Sequence, residues 1–407
     1  MRQTAVIAGV GTTHFGKHFE RSLSSLAHEA IRAALQDAGI GIERIQAVWA
    51  GTAAAPITTG QVCIAGQAIL RGLGLGRVPV VNVENACATA STAFQQAASM
   101  VTLGAYDIVL AFGVDKLYHP DKQRVFSVFH GCADVEHPEA LEAFVLHDGA
   151  RPEGAGQTRS VFMDVYARMA RKYMAATGAQ AADFAAVSAK NSFHGSLNPN
   201  AQFQKVVTPQ EVLEATPIVS PLTLLMCSPI ADGASAAVLV SAKAARELGI
   251  SAPIRVRASF LASGYDYSEG EEALVPWAAR QVYEFAGVGP GELSCVELHD
   301  ASSPAELIYC EALGLCEPGE GVRMLADGDT RLGGRIPVNT SGGLVRKGHP
   351  IGATGLAQIH ELTLQLRGQA GKRQVDGARR ALAENGGGFL GTDSAALALT
   401  VLSREDP

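Results

Sequence analysis

No stretch of this sequence stays apolar for the length a membrane helix requires. Its N-terminus (MRQTAVIAGVG) enters a strand-like run without the hydrophobic segment of a signal or anchor. A cytoplasmic protein is therefore expected. Charge of one sign is also missing: 33 Lys and Arg stand against 40 Asp and Glu, a formal charge of −7, and no basic tract makes nucleic acid a natural partner. Cysteine is sparse: the seven cysteines, at positions 63, 87, 132, 227, 295, 310 and 316, include no CxxC pair. That excludes a disulfide scaffold and an internal zinc ribbon, and no metal site is expected. There is no P-loop, and no dinucleotide-type GxGxxG in its required context. What is abundant is apolar residues, 47% of a 407-residue chain, and glycine, 44 residues without a collagen period. Such a chain builds a large core with many tight backbone turns, in two or three domains or intimately joined halves.

Short apolar strands alternate with alanine-rich helical stretches, the pattern of layered α/β architecture. The reading gives strands at Val6–Gly11, Ala47–Ala53, Val78–Val83, Asp107–Phe112 and Ala234–Val240, and helices at Leu23–Ala38, Cys63–Leu73 and Ala88–Thr102. Beyond Tyr118 the texture turns polar and irregular, which marks an inserted piece. From about Ile254 a second α/β half begins, with a strand at Cys295–Leu298, a helix at Pro304–Leu313 and a terminal strand at Ser394–Val401. Ile336–Asn339 followed by the helical run Gly352–Leu366 echoes the organisation of Val78–Thr102.

Cys87 ends a strand–turn unit and enters a helix, where unpaired backbone amides and the positive helix end favour a thiolate. An ordinary buried thiol is the alternative from these residues alone. The surrounding run Asn82–Ala90 (NVENACATA) resembles the nucleophile region of the thiolase superfamily, and Gly348–Gly355 (GHPIGATG) resembles its histidine loop. The resemblance extends through GVGTTHFG at Gly9–Gly16, SAKN at Ser188–Asn191, NPNAQ at Asn198–Gln202, PLTLL at Pro221–Leu225 and SPIADGA at Ser228–Ala234, so it covers nearly the whole chain. It is strongest to the thiolases related to sterol carrier protein X.

The resemblance implies a five-layered α/β/α/β/α fold of two similar halves. Residues 1–118 plus 226–255 would form the first half, 119–225 an inserted loop domain over an acyl-CoA groove, and 256–407 the second half. It implies Cys87 as the acyl-accepting nucleophile, His349 as the base that activates it, and His299 as a donor to the thioester oxygen that becomes enolate-like. Backbone amides at Cys87 and in a Gly386, Gly387, Gly388 loop would hold the tetrahedral oxyanion; one such donor is worth roughly 3 to 4 kcal/mol of activation free energy. His130, His147 and His194 are candidates for the surroundings of the loop-domain pocket, with surface or structural roles as the alternative. Coenzyme A is expected as substrate or product rather than as a tightly bound cofactor, and the residues binding its phosphates are not identified. A homodimeric core is implied, and some relatives work with a separate small protein carrying a zinc ribbon and an OB-like domain.

The sequence departs from the family pattern twice. HDASS at His299–Ser303 puts Ala301 and Ser302 where the related thiolases carry cysteine and phenylalanine, and the late Cys-x-Gly cysteine is missing. Aligning the glycines of AENGGGFLG, Ala383–Gly391, puts Glu384 about where that cysteine would stand. A carboxylate there would exchange a substrate α-proton if its pKa were raised, and a structural or solvent-facing glutamate is the alternative. The reading is an acyl-CoA C-acyltransferase that cleaves a 3-oxoacyl-CoA with a bulky or unusual acyl group by thiolysis. The alternatives are transfer of the acyl group to a non-CoA carbon nucleophile, a retro-aldolase, and a non-catalytic lipid-binding or scaffold subunit.

Overall fold

A computed structural model describes residues 3–146, 154–156, 158–250, 253–267 and 270–405. Eleven strands run in chain order: β1 (Val6–Thr12), β2 (Ala47–Gly51), β3 (Val80–Val83), β4 (Ile108–Asp115), β5 (Pro217–Val219), β6 (Leu222–Thr223), β7 (Gly233–Val240), β8 (Ile254–Ala262), β9 (Cys295–Glu297), β10 (Arg380–Gly387) and β11 (Ala396–Arg404). Nine of them are hydrogen-bonded in the order β3-β2-β4-β7-β1-β8-β11-β10-β9, and β5 and β6 form a separate hairpin. The two halves of this array meet where Val6 pairs with Arg255 and Ile7 with Ile254.

Strand alternation assigns the layers. Ile7, Val109, Ala111 and Leu239 from one half, and Val256, Ala381 and Ala383 from the other, face a shared central core. Into it pack Ala93, Phe94 and Ala97 of the helix Thr89–Thr102 and Leu356, Ile359 and Leu362 of the helix Thr354–Arg367. Alternate residues Val6, Val48, Leu110 and Val238 face outward onto the helix Leu23–Ala38. Ala258, Leu382, Leu399 and Val401 face the opposite way onto the helices Leu274–Ala286 and Ser303–Ala312. The result is the α/β/α/β/α stack, with each buried leucine or valine contributing about 1.5–3 kcal/mol.

Local signals set several boundaries. The helix Leu23–Ala38 starts where Ser22 Oγ accepts the Ser25 N–H at 3.1 Å and stops at Gly39, whose φ of 65° is left-handed. The helix read over Cys63–Leu73 is shorter, Ala65–Arg71. Ile336–Asn339 supplies only a single bridge, Val296 to Val338, so the internal echo lies in the two central helices rather than in matching strands. The largest difference is at β10. Read as a glycine loop, Glu384, Asn385, Gly386 and Gly387 instead lie in the buried strand β10, paired antiparallel to β11, while Ala381, Leu382 and Ala383 of the same strand pair in parallel with β9. Polar residues and glycines look like a loop by composition, but Ala396 to Leu399 of β11 supply their ladder partners.

Residues 116–232 connect β4 to its antiparallel neighbour β7. Their described helices are Lys122–His130, Pro138–Leu146, Val161–Thr177, Ala181–Ser196 and Pro209–Leu213. Among the described residues, no helix is long and apolar enough to cross a membrane.

Candidate active site

Cys87 sits in a single 3-10 turn, Ala86–Ala88, that leads into the helix Thr89–Thr102. The preceding Ala86 has φ 47°, a left-handed conformation that costs a non-glycine residue roughly 1–2 kcal/mol. The turn is fixed from within: the Thr89 hydroxyl donates to the Ala86 carbonyl at 2.7 Å and accepts the Asn85 N–H at 2.9 Å. Cys87 thus projects from a held elbow into a cavity of about 860 Å³.

His349 arrives on the loop before the other central helix. Its N–H donates to the Pro229 carbonyl at 3.2 Å, which ties the loop to the SPIADGA segment. Asp115, at the end of β4, anchors the loop from the other half. Its carboxylate accepts the Gly352 N–H at 2.6 Å, the Thr52 hydroxyl at 2.6 Å and the Ala54 N–H at 2.9 Å. A Cβ at Gly352 would lie 2.5 Å from Asp115 Oδ2, so only glycine allows this approach. His349 Nε2 then stands 3.2 Å from Cys87 Sγ, and its Nδ1 lies 2.7 Å from Thr354 Oγ1. The Thr354 hydroxyl proton goes to the Pro350 carbonyl at 3.1 Å, so Thr354 accepts from His349 Nδ1–H and leaves Nε2 bare toward the thiol.

His299 follows β9, and the SAKN segment holds its loop. Asn191 donates to Asp300 at 3.0 Å and to Glu306 at 2.9 Å, Lys190 pairs with Glu306 at 2.5 Å, and the Leu344 N–H reaches Asp300 at 2.6 Å. The His299 and His349 rings meet edge to face with centroids 5.1 Å apart. Donor atoms of Cys87, His299 and His349 all lie within 4.8 Å of one another. Among the described residues this is the one His/Cys/Asp/Glu group close enough to hold a metal ion, and the same spacing serves proton transfer.

Burial dominates the electrostatics. It pushes the Cys87 thiol well above its ordinary range, with Cys132 and Asp115 adding to the effect, and a Gly388 backbone hydrogen bond opposes it only in part. The thiolate expected from the helix end is therefore outweighed. Burial also drives His349 well below the usual imidazole value, with His299 and Lys347 adding to it, and holds His299 down to about 4. The resting site is a neutral thiol facing two neutral imidazoles.

The other sequence candidates fall as follows. Gly386, Gly387 and Gly388 line the cavity beside Cys87, the first two from within β10. Glu384 does not join the Cys87–His299–His349 group. Its Oε2 accepts the His299 main-chain N–H at 2.8 Å, and its Oε1 is buried without a partner. Alternation along β10 instead puts Asn385 on the Cys87 side, bonded to His299 Nδ1 at 2.8 Å and to the Cys87 carbonyl at 3.0 Å. The sequence reading passed over Asn385 because glycine alignment without strand register cannot separate it from Glu384. It also passed over Cys132, a cavity-lining thiol pushed up by burial to about 12. His194 is not at the cavity: it is buried, within reach of the Asn339 carbonyl at 3.0 Å, and accepts the Leu332 N–H at 3.2 Å. His130 does not line the cavity either, and His147 lies outside the described residues.

Comparison with known proteins places this geometry in a family. The thiolase N-terminal domain model matches residues 5–220, and the thiolase C-terminal domain-like model matches residues 271–400. The chain belongs to the thiolase superfamily. It is related to the sterol carrier protein 2 branch: sterol carrier protein 2 of Gallus gallus is 36% identical over 398 residues, covering 95% of this chain and 70% of that one. An acetyl-CoA acetyltransferase of Methanothermobacter thermautotrophicus is 39% identical over 398 residues (96% and 98%). The benzoylsuccinyl-CoA thiolase subunit BbsB of Thauera aromatica is 36% identical over 382 residues (92% of each). Among solved structures, the Ltp2-ChsH2(DUF35) aldolase superposes with a TM-score of 0.79 at 27% identity, covering 99% of this chain and 98% of that one.

Proposed function

We propose that this protein is a thiolase-type C-acyltransferase. Cys87 takes an acyl group from a CoA thioester and passes it to a carbon nucleophile. The observation that carries the reading is the 3.2 Å contact between Cys87 Sγ and a bare His349 Nε2 at the cavity floor. As Sγ attacks the thioester carbonyl, its proton moves to Nε2. The bond to the CoA sulfur breaks, and that proton returns to the departing CoA thiolate. The Gly388 amide and the Cys87 turn supply donors for the oxyanion between these steps. Attack of the carbon nucleophile on the Cys87 thioester then forms the C–C bond and frees Sγ.

Ordinary thiolysis needs an acid to protonate the departing enolate, and this chain has no cysteine at β10 for that task. Transfer to an activated carbon fits the residues better than the thiolytic reading. The cavity supports a bulky acyl group, because Phe126, Phe129, Phe162, Met163, Tyr166 and Met169 form much of its wall and Ala301 leaves space beside His299. Relatives named for a benzoylsuccinyl-CoA thiolase subunit and for a two-name aldolase assembly support a second polypeptide as partner, with a zinc-ribbon and OB-like protein as the candidate. A homodimeric core and a cytoplasmic location belong to the same reading.

A panel of acetyl-, benzoyl- and phenylacetyl-CoA tests it. An acyl adduct seen by intact mass and abolished by Cys87→Ser supports acyl transfer; no adduct across the panel overturns it. Product analysis with and without free CoA separates thiolysis from C-acylation. The aldolase relative favours one second reading, retro-aldol cleavage, which would give C–C cleavage products with no Cys87 adduct.

A further inference from the structure

Building on the acyl-transfer reading, we infer that Asn385 is a positioning residue that locks His299 in the Nδ1–H tautomer, so that His299 Nε2 is the proton acceptor for the carbon nucleophile. The work of the missing cysteine thus passes to an imidazole already in the site.

Hydrogen-bond valence fixes the His299 tautomer. A backbone carbonyl oxygen only accepts, so the Asn385 atom 3.0 Å from the Cys87 carbonyl is the amide nitrogen. The second proton of that nitrogen goes to Ser91 Oγ at 3.0 Å. The carboxamide is therefore pinned from both sides of the helix entry, and its oxygen faces His299 Nδ1 at 2.8 Å. That oxygen has no proton to give, so Nδ1 carries the hydrogen and Nε2 carries the lone pair. A ring nitrogen of His299 lies within 4.8 Å of Cys87 Sγ and of a His349 ring nitrogen, and with Nδ1 turned to Asn385 the His299 ring lines the same cavity as Cys87. His349 Nε2, 3.2 Å from Sγ, serves the proton of the sulfur itself, and His299 is the second imidazole on the wall of the cavity where another substrate meets the acyl-enzyme.

This reverses the role that the family resemblance implied for His299. A neutral His299 cannot donate to a thioester oxygen through a bare Nε2; it donates only after it has taken a proton. In the forward step Nε2 removes the proton from the nucleophilic carbon. The electron pair of that C–H bond attacks the Cys87 thioester carbonyl, the Cys87 Sγ–C bond breaks, and the proton passes from His299 to the freed sulfur. No other reactant is required. With its pKa held down to about 4 by burial, His299 is a weak base. It suits a carbon acid activated by a carbonyl or aromatic neighbour better than an unactivated methyl group.

Two measurements decide the matter. In protein labelled with 15N-histidine, His299 Nε2 is expected to resonate as an unprotonated nitrogen and Nδ1 as a protonated one; the opposite assignment in the wild-type protein overturns the proposal without any variant. The second is deuterium exchange from D2O into the α-carbon of phenylacetyl-CoA, followed beside Cys87 acylation by the same thioester. Asn385→Ala is expected to lower exchange at least 100-fold more than it lowers acylation, and Asn385→Asp, which still accepts from Nδ1–H, to retain exchange with its pH profile moved upward. Equal losses of exchange and acylation in Asn385→Ala, or no exchange in the wild-type protein, overturn the proton-acceptor role. Exchange that proceeds without any Cys87 adduct would instead sink the acyl-transfer reading and leave this one standing.

Discussion

Cys87 Sγ and His349 Nε2 lie 3.2 Å apart although 262 residues separate them in the chain. Both are neutral at rest, because burial raises the thiol and lowers the imidazole. In the proposed acyl transfer Cys87 is therefore activated during attack, by proton transfer to His349, and not as a standing thiolate. His349→Ala is expected to slow Cys87 acylation by about 10²- to 10⁴-fold. With iodoacetamide at pH 7, exposed Cys63 should label before Cys87, and peptide mass mapping over time gives the order.

Thr354 sets the tautomer of His349. Thr354→Val keeps the shape of the side chain but leaves a buried Nδ1–H without an acceptor, a loss of about 1–3 kcal/mol, or turns the imidazole to the wrong tautomer. Acyl-enzyme formation followed by stopped-flow mass analysis should fall about tenfold or more, with little change in the circular dichroism spectrum.

Glu384 is a buried carboxyl whose pKa is raised from 4.5 to about 7 by burial, opposed by the His299 N–H. Its folded-state value exceeds its unfolded one, so its contribution to stability is fully present below about pH 4.5 and is lost as pH rises through 7. The span is roughly 3 kcal/mol. Glu384→Gln should flatten this part of the stability profile, gaining on the wild type between pH 5 and pH 8 in thermal unfolding. Parallel profiles for the two proteins would show that the carboxyl does not titrate there.

Gly355 lets the two central helices meet. A Cβ there would lie 1.9 Å from Ser91 Oγ and 2.7 Å from Asn385 Nδ2. Gly355→Ala must push apart the helices that follow Cys87 and His349, at a cost of about 1–3 kcal/mol. A lowered Tm together with a lowered acylation rate is the expected pair of results.

Ala301 lines the cavity next to His299. Ala301→Phe should leave acylation by acetyl-CoA within about threefold while reducing acylation by benzoyl- and phenylacetyl-CoA at least tenfold, since a filled site rejects added volume steeply. Equal effects on small and large thioesters would show that the acyl group points elsewhere.

Much of this was legible in one dimension. The cap at Ser22, the stop at Gly39 and the short apolar runs of β4 and β7 are local signals, produced by local sterics and composition. The motifs around Cys87, His299 and His349 were likewise readable because each is a contiguous run. The glutamate, asparagine and glycine end of β10 was not legible as strand, since it is specified by pairing with β11 and not by its own residue types.

The sequence by itself determined a large layered α/β protein, its family and the motifs that hold Cys87, His299 and His349. Those properties rest on composition, short-range pattern and runs of adjacent residues. Only the tertiary structure decided which of two neighbours, Glu384 or Asn385, faces the thiol, because a one-residue change of register turns a strand's side chains to the opposite face. Only it decided the charge states, because burial against distant elements outweighed the local helix end that favoured a thiolate.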